Sequence, residues 1–179
     1  MENRLGADQG SRVLVTGGSG FIGRRLVTAL LAGGADVTVA DRHEPSAPGV
    51  RFVDGDLRDP AVAARAVSPG TDVIVHLAAV TSVLRSVEDP AGTYEANVAT
   101  TAGLLELART RGVGAFLLAS TNAVVGDVGD AVITELHPLR PLTPYGATRR
   151  PRRCCSAPTR RPMGWLDARC GSPTSTGPA

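Results

Sequence analysis

VLVTGGSGFIGRRL, residues 13–26, decides the fold of this 179-residue chain. In this stretch a β-branched run is followed by three spaced glycines, Gly17, Gly20 and Gly23, and then by an apolar helical pattern. Gly17 permits a tight turn, Gly20 lets the backbone approach a phosphate closely, and Gly23 lets the helix pack against the strand. The stretch therefore predicts a strand–turn–helix unit whose helix N-terminus can bind a diphosphate.

Strand and helix patterns continue to alternate as far as residue 120. The strand patterns are short, nearly continuous apolar runs, as a parallel sheet buried on both faces requires. The predicted strands are 12–16, 36–40, 50–54, 72–78 and 115–120, and the predicted helices are 21–32, 61–67 and 94–111. This order predicts an α/β fold, a Rossmann-type doubly wound parallel sheet that is incomplete at its C-terminal end.

A carboxylate at the end of the second predicted strand indicates which dinucleotide binds. Asp41 lies 24 residues after Gly17. A carboxylate in this place accepts hydrogen bonds from the adenosine ribose hydroxyls and repels a 2′-phosphate, so NAD is favoured over NADP. The adjacent Arg42 weakens that preference, because a guanidinium can meet a phosphate.

Charge divides the chain into two unlike parts. Residues 1–148 hold 12 arginines and 16 acidic residues, whereas residues 149–179 hold seven arginines and only Asp167. The second part also has five prolines and no apolar stretch that could cover a sheet or helix face. We expect a flexible N-terminus (1–11), an NAD-binding Rossmann domain (12–148) and an Arg/Pro-rich disordered tail (149–179).

Several classes of protein are disfavoured by the sequence. No apolar run reaches the roughly 18 residues that span a membrane, and the N-terminus lacks a signal-peptide profile, so a cytoplasmic protein is expected. The three cysteines, Cys154, Cys155 and Cys170, have no metal-ligand spacing. A basic arm for nucleic acid is kept as an alternative, although no aromatic residues are interleaved with the arginines of the tail.

Further motifs carry a family resemblance. TGGSGFIG (16–23), GDLRD (55–59), HLAA (76–79) and YEANVATTAGLLELA (94–108) resemble motifs of the extended short-chain dehydrogenase/reductase family, the NAD-dependent epimerases and dehydratases of nucleotide sugars. With the glycines and Asp41, the resemblance implies a set of cofactor-binding residues. They are Gly17, Gly20, Phe21, Ile22, Gly23, Asp41, Arg42, Asp56, Leu57, Leu77, Ala78, Ala79 and Asn97.

Two later motifs resemble the catalytic segments of that family. STNAVVG (120–126) places Thr121 where the family has a catalytic Ser or Thr, and PLTPYGATR (141–149) places Tyr145 at the catalytic acid/base. A tyrosine can take a sugar hydroxyl proton at neutral pH only with a cation beside it. The family supplies a lysine for this, and here Arg149 occupies its position. A guanidinium cannot be assumed to replace that ammonium.

The residues after Thr121 bear on the reaction. The family's 4,6-dehydratases carry an Asp-Glu pair there, whereas this chain has Asn122 and Ala123. The resemblance therefore implies a 4-epimerase or a sugar-nucleotide dehydrogenase acting on a nucleotide sugar, with a homodimer as a candidate assembly and no membrane partner. Which sugar and which nucleotide stay open.

The family pattern stops after Thr148. Back-translation of residues 166–179, read in another frame, gives GRPVRLPHVYGPG, which resembles a motif expected after the family's sixth strand. We therefore expect residues 149–179 to be a frameshift product. We also expect that the ancestral protein was an active enzyme and that the present chain has little or no turnover. The alternatives are a non-catalytic NAD-binding module and a misfolded fragment that exposes an apolar sheet edge.

Overall fold

The structure is a computed structural model that describes residues 9–130, 132–134 and 136–150, and the backbone of Gly164 and Trp165. Most of the predicted flexible N-terminus and of the predicted tail therefore lies outside the described residues. Among the described residues, no helix combines the length and the apolar character that crossing a membrane requires.

In the described part of the chain, six parallel strands form one sheet. They are β1 (Arg12–Thr16), β2 (Asp36–Asp41), β3 (Arg51–Asp54), β4 (Val73–His76), β5 (Ala115–Leu118) and the two-residue β6 (Gly164–Trp165). Their order across the sheet is β3-β2-β1-β4-β5-β6. This is the strand order of the doubly wound dinucleotide-binding fold, and it confirms the predicted fold class.

Within the residues that the structure describes, six α-helices accompany the sheet. They are α1 (Phe21–Ala32), α2 (Pro60–Ala66), α3 (Val83–Glu88), α4 (Pro90–Tyr94), α5 (Thr100–Arg111) and α6 (Pro144–Thr148). A π-helical turn, Glu95–Ala99, joins α4 to α5, and a 3₁₀ turn, Asn122–Val124, follows β5.

The sheet has an apolar core on each face, because successive side chains of a strand point to opposite sides. Leu14 of β1 packs with residues of α2 and α5 on one face. Its neighbours Val13 and Val15 pack with Val27 and Leu30 of α1 on the other face. Burial on both faces explains why the strands read as continuous apolar runs rather than alternating ones.

The strand order reverses between β1 and β4. The end of β1, Thr16, lies in register with Ala40 of β2 on one side and with His76 of β4 on the other. Connections from these two strands leave in opposite directions, which opens a crevice at their carboxyl ends. The glycine turn after β1 lies at this crevice.

The structure contains the short helices α3 and α6, which were not predicted, and it differs from the sequence predictions in three further places. The helix predicted over 94–111 begins earlier, at Pro90, and contains the π turn. Gly164 and Trp165 pair with Ala115 and Phe116 of β5, a strand partner that was not predicted. Arg149, assigned to the tail, is buried against the domain, so the packed region extends past Thr148. The reason is that the Arg149 N–H continues the hydrogen bonding of α6, which places the residue against the domain.

Candidate functional site

The glycine turn places an open helix end at the crevice. Gly17 has φ of +70°, and a Cβ there would lie 2.7 Å from the Ala78 nitrogen, so only glycine fits. A Cβ on Gly23 would overlap the Gly17 carbonyl oxygen. Gly20, at the N-cap of α1, offers no side-chain cap, and the first turn holds no acidic residue. The N–H groups of this turn therefore remain available to an anionic ligand.

Asp41 ends β2 beside that turn, and its carboxylate is held by three backbone N–H groups. Ser19 donates to Oδ2 at 3.0 Å, whereas Arg42 and His43 donate to Oδ1 at 2.7 and 3.2 Å. The side chain is 13% exposed. Each carboxylate oxygen can accept more than one hydrogen bond, so Asp41 is fixed in place with capacity left for a ligand hydroxyl.

Asp56 follows β3 and pairs with Arg58. The Arg58 Nη2 lies 2.7 Å from Asp56 Oδ2, and the Arg58 backbone N–H donates to Oδ1 at 2.9 Å. These hydrogen bonds from Arg58 lower the pKa of the Asp56 carboxyl below its usual value. Asp56 is thus a paired anion at physiological pH.

A cleft of about 540 Å³ runs along the carboxyl edge of the sheet and collects most of the predicted site residues. Fourteen of the sixteen line it: Gly17, Gly20, Phe21, Ile22, Gly23, Asp41, Arg42, Asp56, Leu57, Leu77, Ala78, Ala79, Tyr145 and Arg149. Asn97 and Thr121 do not. The cleft therefore has one end at Asp41 and Asp56 and another at Tyr145 and Arg149.

Tyr145 is positioned by the caps of α6. The Thr143 hydroxyl accepts the Gly146 N–H at 3.1 Å and begins the helix. The Tyr145 N–H donates to the hydroxyl of buried Ser86 at 3.1 Å, and the Thr148 hydroxyl donates to the Tyr145 carbonyl at 2.7 Å. A five-residue helix has little stability of its own, so these side chains hold it against α3.

Asn97 lies in the wall behind the cleft, inside the π turn. Its Oδ1 accepts the Val80 N–H at 2.8 Å, and its Nδ2 donates to the Val80 carbonyl at 2.9 Å and to the Thr148 hydroxyl at 3.0 Å. The structure thus places this predicted cofactor residue as a brace between the cleft wall at Val80 and the helix that carries Tyr145.

A buried polar chain continues from that brace to β1. The Thr101 hydroxyl donates to the Asn97 carbonyl at 2.7 Å and lies 3.0 Å from His76 Nε2. His76 Nδ1 lies 2.6 Å from the Thr16 hydroxyl, which accepts the Ala78 N–H. Since the Thr101 proton is already donated, we assign the His76 proton to Nε2.

His76 is uncharged in this chain of hydrogen bonds. Complete burial and, secondarily, the charge of Arg149 lower the pKa of His76 to about 3. Its two threonine partners, Thr16 and Thr101, indicate a structural role for His76 at the end of β4.

Arg149 follows α6 and is only 4% exposed. Its Nη2 lies 3.5 Å from the Ala78 carbonyl, and its Nη1 is buried without a hydrogen-bond partner among the described residues. Burial lowers the pKa of Arg149, and the nearby Tyr145 side chain opposes that shift.

Thr121 lies at the edge of this site rather than in it. Its hydroxyl accepts the Ala123 N–H at 3.3 Å and caps the 3₁₀ turn. The neighbouring Ser120 lines the cleft, and its hydroxyl donates to the Arg149 carbonyl at 3.1 Å. Sequence reasoning missed Ser120, and the missed cleft residues also include Arg58, Arg85 and Thr100. For Ser120 the sequence offers one signal, its hydroxyl beside that of Thr121 in the STNAVVG motif.

An open helix end, a fixed carboxylate and a shared cleft at the strand-order reversal define a dinucleotide-binding protein of the Rossmann class. In the part of the chain that the structure describes, no group of histidine, cysteine and acidic side chains could hold a metal ion.

Comparison with known proteins gives the family. A profile of the NAD dependent epimerase/dehydratase family matches residues 13–152. The chain is 34% identical over 143 residues to a putative UDP-glucose 4-epimerase of Methanocaldococcus jannaschii, covering 76% of this chain and 47% of that protein. It is 38% identical over 155 residues to a dTDP-glucose 4,6-dehydratase of Streptomyces niveus, covering 77% and 46%. The chain belongs to the NAD-dependent epimerase/dehydratase family.

A solved structure agrees with this assignment. The UDP-glucose 4-epimerase of Thermus thermophilus, crystallised with NAD, superimposes with a TM-score of 0.73 at 41% identity, covering 77% of this chain and 47% of that one. The chain therefore spans about half the length of the relatives it matches.

Proposed function

We propose that this chain is the cofactor-binding part of an NAD-dependent nucleotide-sugar epimerase, and that it binds NAD(H) in the cleft described above. One observation carries the proposal: the open N-terminus of α1, the fixed Asp41 carboxylate and Tyr145 all face a single cleft of about 540 Å³. That volume suits a small-molecule ligand. The T. thermophilus relative was crystallised with NAD.

Each end of the cleft has a separate task in this proposal. The N–H groups of the α1 turn bind the diphosphate, and Asp41 accepts hydrogen bonds from the adenosine ribose. The bound nicotinamide supplies hydride acceptance and return. In the intact ancestral enzyme Tyr145 would take the proton of the sugar hydroxyl and return it. In this chain the backbone of Tyr145 is fixed by Ser86 and Thr148.

Thr121 is our proposed assisting hydroxyl at this end. Ser120 is nearer to the cleft, but its proton is donated to the Arg149 carbonyl. Thr121 makes only a 3.4 Å contact to the Asn122 side chain as a donor, so its hydroxyl is easier to redirect toward a substrate.

Nucleotide sugars are the proposed substrate class. The relatives are named for UDP-glucose and dTDP-glucose. Asn122 and Ala123 occupy the places of a carboxylate pair that could eliminate water, so epimerisation or simple oxidation is favoured over dehydration.

We further propose that this chain turns over little or no substrate. Arg149 stands in the lysine position, and we interpret residues 149–179 as a frameshift product rather than as the continuation found in the relatives. Resequencing of the gene across the codons for Gly146 to Arg153 tests that interpretation. An unaltered reading frame, with a stop codon in the alternative frame, would overturn it.

A non-catalytic NAD-binding module is the second candidate function. The substitution at Arg149 favours it, because the cofactor can bind without proton transfer at Tyr145. A basic arm for nucleic acid gains no support from Arg149, whose guanidinium is buried.

Cofactor titration tests the proposed function. NADH should raise the melting temperature of the chain. At an NADH concentration of 100 Kd, the free energy of unfolding should increase by about 2.7 kcal/mol. Asp41→Asn should weaken that effect. No shift at millimolar NADH would overturn the proposal.

Turnover is measured on the same preparations. UDP-glucose and UDP-galactose should not interconvert measurably, with the chain as it is or with Arg149→Lys. Epimerase activity from that single variant would contradict the proposed inactivity.

A further inference from the structure

The backbone of Arg149 is fixed at one end of the cleft. Its N–H donates to the carbonyls of Tyr145 and Gly146, each at 3.2 Å, and its carbonyl accepts the Ser120 hydroxyl at 3.1 Å. These contacts tie the residue both to α6 and to the strand end after β5. The side chain therefore enters the cleft from a rigid position.

Among the described residues, the guanidinium of Arg149 has no counter-charge. None of the ion pairs formed within the described residues includes Arg149. Within the same part of the chain, its Nη1 is buried without a partner, and its Nη2 lies 3.5 Å from the Ala78 carbonyl. Tyr145 is the side chain whose interaction favours the charged form. A buried cation left in this state is costly unless a ligand compensates it.

Other arginines of the molecule show the contrast. Arg58, also in the cleft, is half exposed and bonded to Asp56 at 2.7 Å. Arg109, on the outer surface of α5, is half exposed and paired with Glu106 at 2.5 Å. Arg149 is nearly inaccessible to solvent and has no carboxylate partner in the part of the chain that the structure describes, so its charge acts on whatever fills the cleft.

We infer that Arg149 makes the cleft selective for the charge of its ligand, so that NADH and ADP-ribose bind more tightly than NAD⁺. The inference rests on the proposed function, because it takes the dinucleotide to lie with its adenosine at Asp41. All three ligands share ADP and a second ribose, and they differ only in the group at C1′ of that ribose. The oxidised nicotinamide ring carries a positive charge, the reduced ring is neutral, and ADP-ribose has only hydroxyls there. The buried Arg149 guanidinium repels the charged ring of NAD⁺, whereas it can donate hydrogen bonds to the oxygens of NADH and ADP-ribose.

Calorimetric titration of the full chain tests this selectivity. The ligands are NAD⁺, NADH, ADP-ribose and ADP, the last of which reports the adenosine end alone. NADH and ADP-ribose should each bind roughly tenfold more tightly than NAD⁺, as expected for repulsion between one pair of charges in a partly buried site. Arg149→Gln should bring the NADH to NAD⁺ ratio close to one and leave the affinity for ADP unchanged.

Two further variants separate charge from shape. Arg149→Lys keeps the charge and should keep the ratio. Arg109→Gln removes one positive charge from an exposed ion pair on α5 and should leave the affinities for all four ligands unchanged.

Each failure has a separate meaning. A wild-type chain that binds NAD⁺ as tightly as NADH overturns the inference without any variant, even if Arg149→Gln does not fold. If folded Arg149→Gln still binds NADH more tightly than NAD⁺ by the same factor, the inference is also overturned. Failure of ADP and NADH to bind at all refutes the proposed function itself, and the selectivity with it.

Discussion

The two ends of the cleft are built differently. At the glycine-turn end, defined here by Gly17, Gly23, Asp41 and Asp56, each carboxylate already has its partners: three backbone N–H groups for Asp41 and Arg58 for Asp56. At the Arg149 end, defined by Tyr145 and Arg149, a cation is buried, and one of its nitrogens has no partner among residues 9–130, 132–134 and 136–150. The carboxylates of the first end have their partners before a ligand arrives, whereas one nitrogen of the Arg149 guanidinium at the second end has none among the described residues.

The largest expected effect lies at the glycine-turn end. Gly23→Ala places a methyl group on the Gly17 carbonyl, a backbone atom that cannot move aside. We expect a loss of more than about 4 kcal/mol in the free energy of unfolding, together with loss of NADH binding. Urea denaturation followed by circular dichroism measures the first quantity.

A matched glycine serves as the control. Gly103, in α5, has nothing within 4 Å of an added Cβ. Gly103→Ala should stabilise the chain by about 0.5–1 kcal/mol, since alanine is the better helix former. Similar losses from both substitutions would refute the steric argument for Gly23.

The second effect concerns pH and the Arg149 end. His76 has a folded pKa of about 3, below the ordinary 6.5, so the unfolded chain takes up the proton first as the pH falls. The stability that neutral His76 provides is complete above about pH 6.5 and is lost toward pH 3, by about 1.4 kcal/mol per pH unit. Urea midpoints between pH 7 and 4 measure this slope.

His76→Gln separates this histidine from the carboxyl groups that titrate in the same range. The variant should be less stable than the wild type at pH 7, because both threonine partners are disturbed, and its stability should fall less steeply with acid. Parallel curves for the two proteins would show that His76 does not carry the pH dependence.

The third effect, at Arg149 itself, is stabilising. Arg149→Met removes the uncompensated cation and fills similar space with an apolar side chain, so the ligand-free chain should gain about 1–3 kcal/mol. Chemical denaturation without cofactor measures it. A lower midpoint for Arg149→Met would mean that the contacts to Ala78 and Tyr145 outweigh the burial of charge, and the contrast between the two ends would disappear.

Much of the fold could be predicted from local sequence signals. The five predicted strands and α1 follow from apolar runs and a glycine turn, which are properties of neighbouring residues. The short helices α3, α4 and α6 were missed, because their five or six residues depend on caps such as Ser82 and Thr143 rather than on an apolar stripe. β6 was missed for a similar reason, since two residues make no pattern.

The parts of the site formed by residues close together in the sequence were predictable. The parts formed by contacts between distant segments were not. The glycine turn and Asp41 are read from one strand–helix–strand unit. The roles of Asn97 and Ser120 depend on contacts across more than 25 residues, to Thr148 and Arg149, which no local pattern encodes. The burial of Arg149 was hidden by the arginines that follow it in the sequence.

The π turn at Glu95–Ala99 has a consequence for how this protein can change in length. A π turn holds one more residue than an α-helical turn, and each residue rotates a helix by roughly 100°. Deletion of a single residue there would turn Asn97 away from both Val80 and Thr148. Insertions and deletions should therefore accumulate in exposed loops such as residues 127–130, whereas the spacing from Pro90 to Arg111 stays constant among functional descendants of this sequence.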